Sequence, residues 1–459
     1  MDQTMTTKTH GRMSGANVDN ASETIMRPPT RYDQARAALL AKKGSWMARS
    51  LQLTAFVLAL GSATAAAQDL SWHGFVQSDY SVRTTGMHPS IGSGDFTWAD
   101  HRLQLKLSVS EGSARAQVKV DFYHDAIARL NGIDIREMFA DYSIGKFDFR
   151  LGRQVITWGL GDLVFINDLF PKDWKALFSG QPMEYLKVGV NGAKLTFSDS
   201  PVSAELAIVP FFQPDNLVTA DRFFFLDPFK GVSNRTEDSP DANLENMELA
   251  FRTFGTLADY EISLYAYRGF GHMPSAYRDS LLAGVVYFYP ELSAYGLSLQ
   301  KAGYGSVLSL EYGYYDSRQD RSGTNPMIPN SFHKFLIGLQ RQGRRDFTYS
   351  FQFYDEYMAQ FDEYETSAPQ GFAKQERFRT MLTARVTQLL KYQTWKLSLF
   401  TFYSPTDADY YLIPETQYKF SDRLWLTIGG NVFGGEKEST FFGQFNRNDN
   451  LYSILRYGF

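Results

Sequence analysis

Along most of the chain, apolar and polar side chains alternate one by one in stretches of about ten residues, the length of a tilted membrane strand. Leu103, Leu105, Leu107 and Val109 alternate with Arg102, Gln104, Lys106 and Ser108. Ala114, Ala116, Val118, Val120 and Phe122 alternate with Arg115, Gln117, Lys119 and Asp121. Phe347, Tyr349, Phe351 and Phe353 repeat the pattern around Thr348, Ser350 and Gln352, as do Leu424, Leu426 and Ile428 around Arg423, Trp425 and Thr427. A period of two places alternate side chains on opposite faces of a strand. The pattern predicts strands near 70–82, 97–109, 113–124, 134–144, 147–157, 185–198, 202–212, 244–255, 258–269, 292–301, 305–316, 332–342, 346–357, 374–388, 393–403, 410–420, 423–434 and 447–459. With no helical pattern between them, the fold class is all-β.

The links separate a soluble sandwich from a membrane barrel. Short turns are predicted at Glu111-Gly112, Gly145-Lys146, 199–201, 255–257, 301–304, 343–345, Lys391-Tyr392 and Ser421-Asp422. Longer connections at 158–184, 213–243, 270–291, 317–331 and 358–373 fall between them. Such alternation gathers short turns on one rim and long loops on the other. That is the wiring of an antiparallel up-and-down transmembrane β-barrel with periplasmic turns and extracellular loops. The strand count is about eighteen, with sixteen as the alternative because glycines in 185–212 and 292–316 can hide a turn. A barrel of this width leaves an aqueous lumen.

Composition sharpens this picture. The 459 residues include 37 Phe, 27 Tyr, 7 Trp and 36 Gly, as expected of a chain whose lipid face needs apolar residues only at alternate positions. There is no cysteine, so disulfides and thiolate metal sites are excluded. A net charge of −4 carries no nucleic-acid footprint. The one continuous apolar stretch is Leu51 to Leu60, preceded by Arg49 and followed by Ala65-Ala66-Ala67. It is too short for a span of about 20 residues, but it suits a secretory signal over 47–67, cleaved near Ala67. Residues 1–46 read as a gene-model extension or a disordered leader, and 68–459 as the barrel.

The chain ends Leu451-Tyr452-Ser453-Ile454-Leu455-Arg456-Tyr457-Gly458-Phe459. With Phe459, Tyr457 and Leu455 on one face, it resembles the closing strand of bacterial outer-membrane proteins. That resemblance implies recognition by the barrel-assembly machinery and a place in a Gram-negative outer membrane. Further pieces are Gly152-Arg153-Gln154 with Trp158-Gly159, Asp168 to Pro171, Leu399 to Pro405, Gly429 to Gly435 and Thr440 to Asn450. These resemble porin-like barrels related to alginate-export channels, which implies a transport role without fixing a solute.

Channel chemistry must face the lumen. Parity places Arg102, Lys106, Arg115, Lys119, Arg150, Arg377, Arg379 and Arg385 inward, and a bulge at Gly152 would add Arg153. Inward acids include Asp79, Asp121, Glu137, Asp141, Glu205 and Glu311. Basic side chains around a constriction favour anions, whereas cross-strand pairing with acids would only keep the wall wet and rigid. The 158–184 stretch, with Trp158, Trp174, Asp162, Asp168 and Asp173, is too apolar to stand in water. It is expected either to fold into the bore with its acids facing the basic wall, the preferred reading, or to pack on the outer rim. Phe223 to Leu226 is expected to join an aromatic belt at the membrane surface, with capping the mouth or binding an apolar ligand as the alternative. No Gly-x-Ser-x-Gly or His-Glu-x-x-His motif is present, so neither an enzyme, nor a cofactor, nor a metal is expected. The reading is a porin-like channel for small hydrophilic, weakly preferred anionic solutes, with membrane lipids as neighbours and homotrimers an open question. The alternatives are an adhesin or structural barrel, a gated exporter of a polysaccharide or apolar compound, and, last, an outer-membrane hydrolase.

Overall fold

The computed structural model describes residues 69–85, 94–279, 284–369 and 373–459. The expected leader (1–46) and export signal (47–67) lie outside these residues. The strands are β1 (Asp69–Arg83), β2 (Phe96–Glu111), β3 (Ala114–Asp125), β4 (Leu130–Ile144), β5 (Phe147–Gln154), β6 (Val190–Phe197), β7 (Val202–Val209), β8 (Arg235–Asp238), β9 (Glu248–Leu257), β10 (Tyr260–Phe270), β11 (Ser275–Asp279), β12 (Gly284–Phe288), β13 (Glu291–Gly303), β14 (Ser306–Ser317), β15 (Phe332–Gln342), β16 (Phe347–Met358), β17 (Phe378–Leu390), β18 (Trp395–Ser404), β19 (Asp409–Lys419), β20 (Leu424–Gly435) and β21 (Asn450–Gly458). Eighteen of them form one antiparallel sheet in which each strand pairs with the next in sequence. The sheet closes where β1 pairs with β21, from Phe75 opposite Gly458 to Arg83 opposite Asn450. Closure leaves no edge of this eighteen-stranded sheet unpaired, which a bilayer demands. The other three, β8, β11 and β12, make a small sheet in the long loops.

Alternation decides which way each side chain points. In β1, Phe75, Gln77, Asp79, Ser81 and Arg83 are buried inside, while Val76, Tyr80 and Val82 are exposed on the outer face. In β21, Tyr452 and Ile454 are buried, while Leu451, Leu455 and Tyr457 are exposed. Polar groups buried inward and apolar ones exposed outward invert the soluble pattern, as a lipid-facing wall requires.

The eighteen strands lie near where the alternation predicts them, except that 155–157 and 185–189, expected as strand, belong to the connection between β5 and β6; the sixteen-strand alternative falls. Two predicted turns move: β13 runs on through Lys301 to Gly303 and the chain reverses at Tyr304-Gly305, and the other follows β9. β9 runs through Gly255 to Leu257, and the chain reverses at Ala258-Asp259, both with positive φ (49° and 66°). Gly255 sits in the ladder because a Cβ there would lie 2.1 Å from the carbonyl oxygen of Pro201 on the next strand pair. Two connections on the long-loop rim, 126–129 and 405–408, are as short as those on the other rim.

Candidate functional site

Between β5 and β6 the chain leaves the wall. The connecting segment, residues 155–189, crosses the bore, and its anchors lie on strands all round the barrel. Trp158 Nε1 donates to Glu205 of β7 at 2.7 Å, and its ring packs against Phe170 and Tyr265. The backbone then bends at Gly159 (φ 79°) around the Glu311 carboxylate of β14. That carboxylate accepts from the backbone N–H groups of Leu160 (2.9 Å), Gly161 (3.1 Å) and Asn167 (2.9 Å), and from Asn167 Nδ2 (2.9 Å). The Asp162 backbone N–H donates to Gln352 Oε1 of β16 and its carbonyl accepts from Gln352 Nε2, while its carboxylate takes a two-pronged ion pair from Arg385 of β17, at 2.6 and 2.8 Å.

Val164, Ile166, Leu177, Phe178 and Leu186 turn their apolar side chains into an interior cluster with Leu336, Tyr354, Met381, Phe402, Tyr411 and Phe433 of the wall. Gly296 and Gly313, opposite each other on β13 and β14, make room for the crossing. A Cβ on Gly296 would lie 1.7 Å from Asn167 Oδ1, and one on Gly313 2.6 Å from Ile166 Cγ2. These are among the glycines that made a hidden turn plausible from sequence. Their physical reason is the close approach of the segment.

The second half is a short helix, α1 (Trp174–Phe178), capped by Asp173, whose side chain accepts from Ala176 N at 2.7 Å. Its last carbonyl, on Phe178, accepts from Asn431 of β20 and Asn450 of β21. Tyr185 lies beneath the guanidinium groups of Arg102 (4.4 Å) and Arg136 (4.7 Å), and Glu184 pairs with Arg456 at 2.7 Å. Burial pushes the Lys172 ammonium below its ordinary value, against the pull of Asp168. Burial likewise pushes Asp173 and Asp215 above the usual carboxylate range, although both accept hydrogen bonds.

The residues singled out in the sequence separate into distinct groups here. Arg102 is inward but nearly enclosed, bridging Asp100 and Asp121 at 2.7 Å each. Arg150 is paired with Asp141, Lys119 with Glu137, Arg379 with Asp407 and Glu356, and Arg385 with Asp162. Lys106 and Arg115 form no ion pair among the described residues; Arg115 donates to Gln117. Arg377 precedes β17 and pairs with Asp362 of α2 (Phe361–Ser367) at the long-loop rim, so it does not line the strand wall.

Arg153 does not enter the lumen by a bulge at Gly152. The ladders of β5 run through Gly152 without a shift, and Arg153 stands opposite Met138 and Asn191 on the outward parity. The bulge lies instead on the neighbouring strand. Between the pairs Lys119 with Glu137 and Val120 with Ile135, Arg136 is the extra residue. Arg136 and Glu137 both turn inward there, to the carbonyls of Glu184 and Lys187 and to Lys119 respectively.

Of the three expected constriction acids, only Asp162 faces the basic wall. Asp168 binds Lys172 and Lys187 within the segment, and Asp173 caps α1. The Phe223 to Leu226 run also departs from expectation. Phe223 is buried in the interior cluster and Phe225 packs against it, so the run folds inward and does not form a surface belt. Phe459, Tyr457 and Leu455 lie at the seam, where Phe459 exchanges backbone hydrogen bonds with Gly74 and its ring meets Trp72. Glu205 and Glu311 were visible in the sequence as inward acids. Their partners lie across the bore, so their role as seats for the segment was not.

Solved structures superimpose on the whole barrel. Acinetobacter baumannii OccAB2 does so with a TM-score of 0.52 at 9% identity, over 86% of this chain and 98% of that one. Pseudomonas aeruginosa OccK3 (OpdO) gives 0.51 at 10% identity, over 86% and 96%. Acinetobacter baumannii OccAB4 gives 0.51 at 9%, over 86% and 98%. The fold is that of the outer-membrane porins. At these identities the likeness concerns the fold alone. No family model and no curated protein matches the sequence.

Proposed function

We propose that the barrel is an outer-membrane channel through which small hydrophilic solutes diffuse passively, with a weak preference for anions. The observation that carries this reading is the inward face of the strands. It is lined by charged groups, most of them in cross-strand pairs, while a segment anchored all round the wall narrows the bore. Paired charges hold water in the bore without trapping ions. The anion preference rests on Lys106, Arg115 and Lys119, which cluster between the segment and the short-turn rim, with Lys106 directly opposite Lys119. Among the described residues only Lys119 of the three has a carboxylate within ion-pair reach, so the cluster keeps net positive charge.

The same proposal covers assembly. Phe459, Tyr457 and Leu455 serve as the signal read by the barrel-assembly machinery, and association into homotrimers is read from the mass of the purified particle. Planar-bilayer recordings test the channel. Stepwise open conductance is expected, and a correctly folded but silent barrel would overturn it. Liposome swelling with sugars, organic acids, amino acids and a uronate oligomer then ranks solutes, the last because of the resemblance to alginate-export channels.

A further inference from the structure

On the long-loop side of the crossing segment the bore contains a cavity of about 420 Å³, within the size range of small-molecule sites. Its surface is chiefly aromatic and aliphatic. Phe165 and Trp174 of the segment line it together with Phe332 of β15, Phe402 of β18 and Phe441 of the β20–β21 loop. Trp174 packs edge-on against both Phe165 (6.1 Å) and Phe441 (6.0 Å), so segment and loop form one continuous aromatic wall. Met273, exposed in the loop after β10, lines the margin. Passage of hydrophilic solutes gives no reason for such a surface.

The charged groups that reach this cavity are already matched, and His272, which also lines it, is kept uncharged by burial. Lys334 pairs with Glu356 at 3.4 Å, and Arg379 with Asp407 at 2.6 Å. Asp168 holds Lys172 and Lys187, and Glu291 holds Arg318 at 3.2 Å. Asp215 accepts from Lys172 N and Trp174 Nε1. Counted with the partners Lys187, Arg318 and Asp407, the formal charges cancel. The cations have ring faces as well as carboxylates: Lys334 over Tyr315 at 4.3 Å and Lys172 over Phe165 at 4.7 Å. An ion entering here would lose its water and find no free countercharge. An uncharged ring system would bury apolar surface and stack on rings, at no such cost.

We propose that this vestibule is a binding site for one uncharged molecule with an aromatic or alicyclic body. The site goes beyond the channel reading and does not rest on it.

The full chain in lipid nanodiscs, titrated with 2-naphthalenemethanol and separately with 2-naphthoate, tests the proposal; the two probes share a ring system and differ in charge. Ligand-observed NMR, with empty nanodiscs subtracted, should show saturable binding of the alcohol at one site and at least ten-fold weaker binding of the naphthoate. Leu169→Trp, which fills the cavity, and Phe441→Asp, which puts an unmatched charge into it, should each weaken the alcohol at least ten-fold. Partition of the alcohol no greater than into empty discs, equal or tighter binding of the naphthoate, or unchanged binding in both folded variants would overturn the proposal. Should either variant fail to fold, the two-probe comparison on the unaltered chain decides alone. Conductance of the same preparation keeps the two readings apart. A silent barrel that binds the alcohol removes the channel and leaves the site, and a conducting barrel that does not bind it does the reverse.

Discussion

Arg102 stands on the inward face where parity puts a selectivity side chain, yet its guanidinium is held by Asp100 and Asp121 and covered by Tyr185. A solute in the bore would not meet it. Removing it leaves two buried carboxylates without their cation, a change that typically costs 3–5 kcal/mol, so Arg102→Met should lose roughly that much stability. Urea unfolding of the barrel in liposomes measures the loss. The reversal potential of the surviving channels should match the unaltered protein, and a large shift would return Arg102 to the pore.

His272 gives a second prediction, this one in pH. Burial holds its imidazole down to about 4, although the Glu248 carboxylate is 3.5 Å from Nε2 and the Gln213 carbonyl lies 2.7 Å from Nδ1. In the unfolded chain the group titrates near 6.5. Between those values the unfolded state carries a proton that the folded state refuses, so the contribution of His272 to stability falls as pH drops from about 6.5 to about 4 and is level above that window. The loss is on the order of 3 kcal/mol at most. In His272→Phe this part of the pH dependence should vanish, leaving a pH-independent offset from the orphaned Gln213 carbonyl. An unfolding curve that keeps its slope through the window would sink the assignment.

At the scale of elements, the crossing segment depends on one carboxylate more than on any other wall group. Glu311 gathers three backbone N–H groups and the Asn167 amide. Glu311→Ala strands those donors, each worth about 1–3 kcal/mol when buried without a partner. The 159–168 stretch should then detach from β14, with larger and noisier single-channel steps. Glu311→Gln, which keeps an acceptor oxygen, should fall between. Unchanged steps in Glu311→Ala would mean that the segment does not set the bore.

The strands around this segment were legible because period-two alternation is local, each residue reporting its face through its immediate neighbours. The segment's entry into the bore was only half legible: a stretch holding Trp158, Trp174 and several phenylalanines avoids water, but packing on the outer rim would satisfy that as well as the bore does. Its contacts were not legible. Glu311 meets Leu160 and Gln352 meets Asp162 across 151 and 190 residues of sequence, distances over which one chain carries no periodic signal. Glycine misled for a related reason. Gly255, Gly296 and Gly313 look like turn residues, but they are places where another backbone or side chain comes too close for a Cβ. Arg153 failed through the same ambiguity, with Gly152 read as the bulge that belongs to Arg136 on the next strand.

Across the whole molecule, closure through β1 and β21 fixes the lumen charge as a property of the complete ring, not of any one strand. Most inward cations have acids opposite or beside them, so the field in the bore is set by those left over. Lys106 and Arg115 lie on adjacent strands on the short-turn side of the Tyr185 contact. Fields from such exposed charges reach about 10 Å at 0.1 M salt and about 3 Å at 1 M. On the channel reading, Lys106→Glu with Arg115→Glu should therefore move the reversal potential of a salt gradient toward cations at 0.1 M, and much less at 1 M. Neither residue holds a buried ion pair, so the double variant should unfold at nearly the same urea concentration as the parent, and a selectivity change could not be blamed on a damaged wall. If the reversal potential at 0.1 M stays where it was while folding is intact, the remaining paired charges must set the field between them, and the anion preference assigned to this cluster is withdrawn.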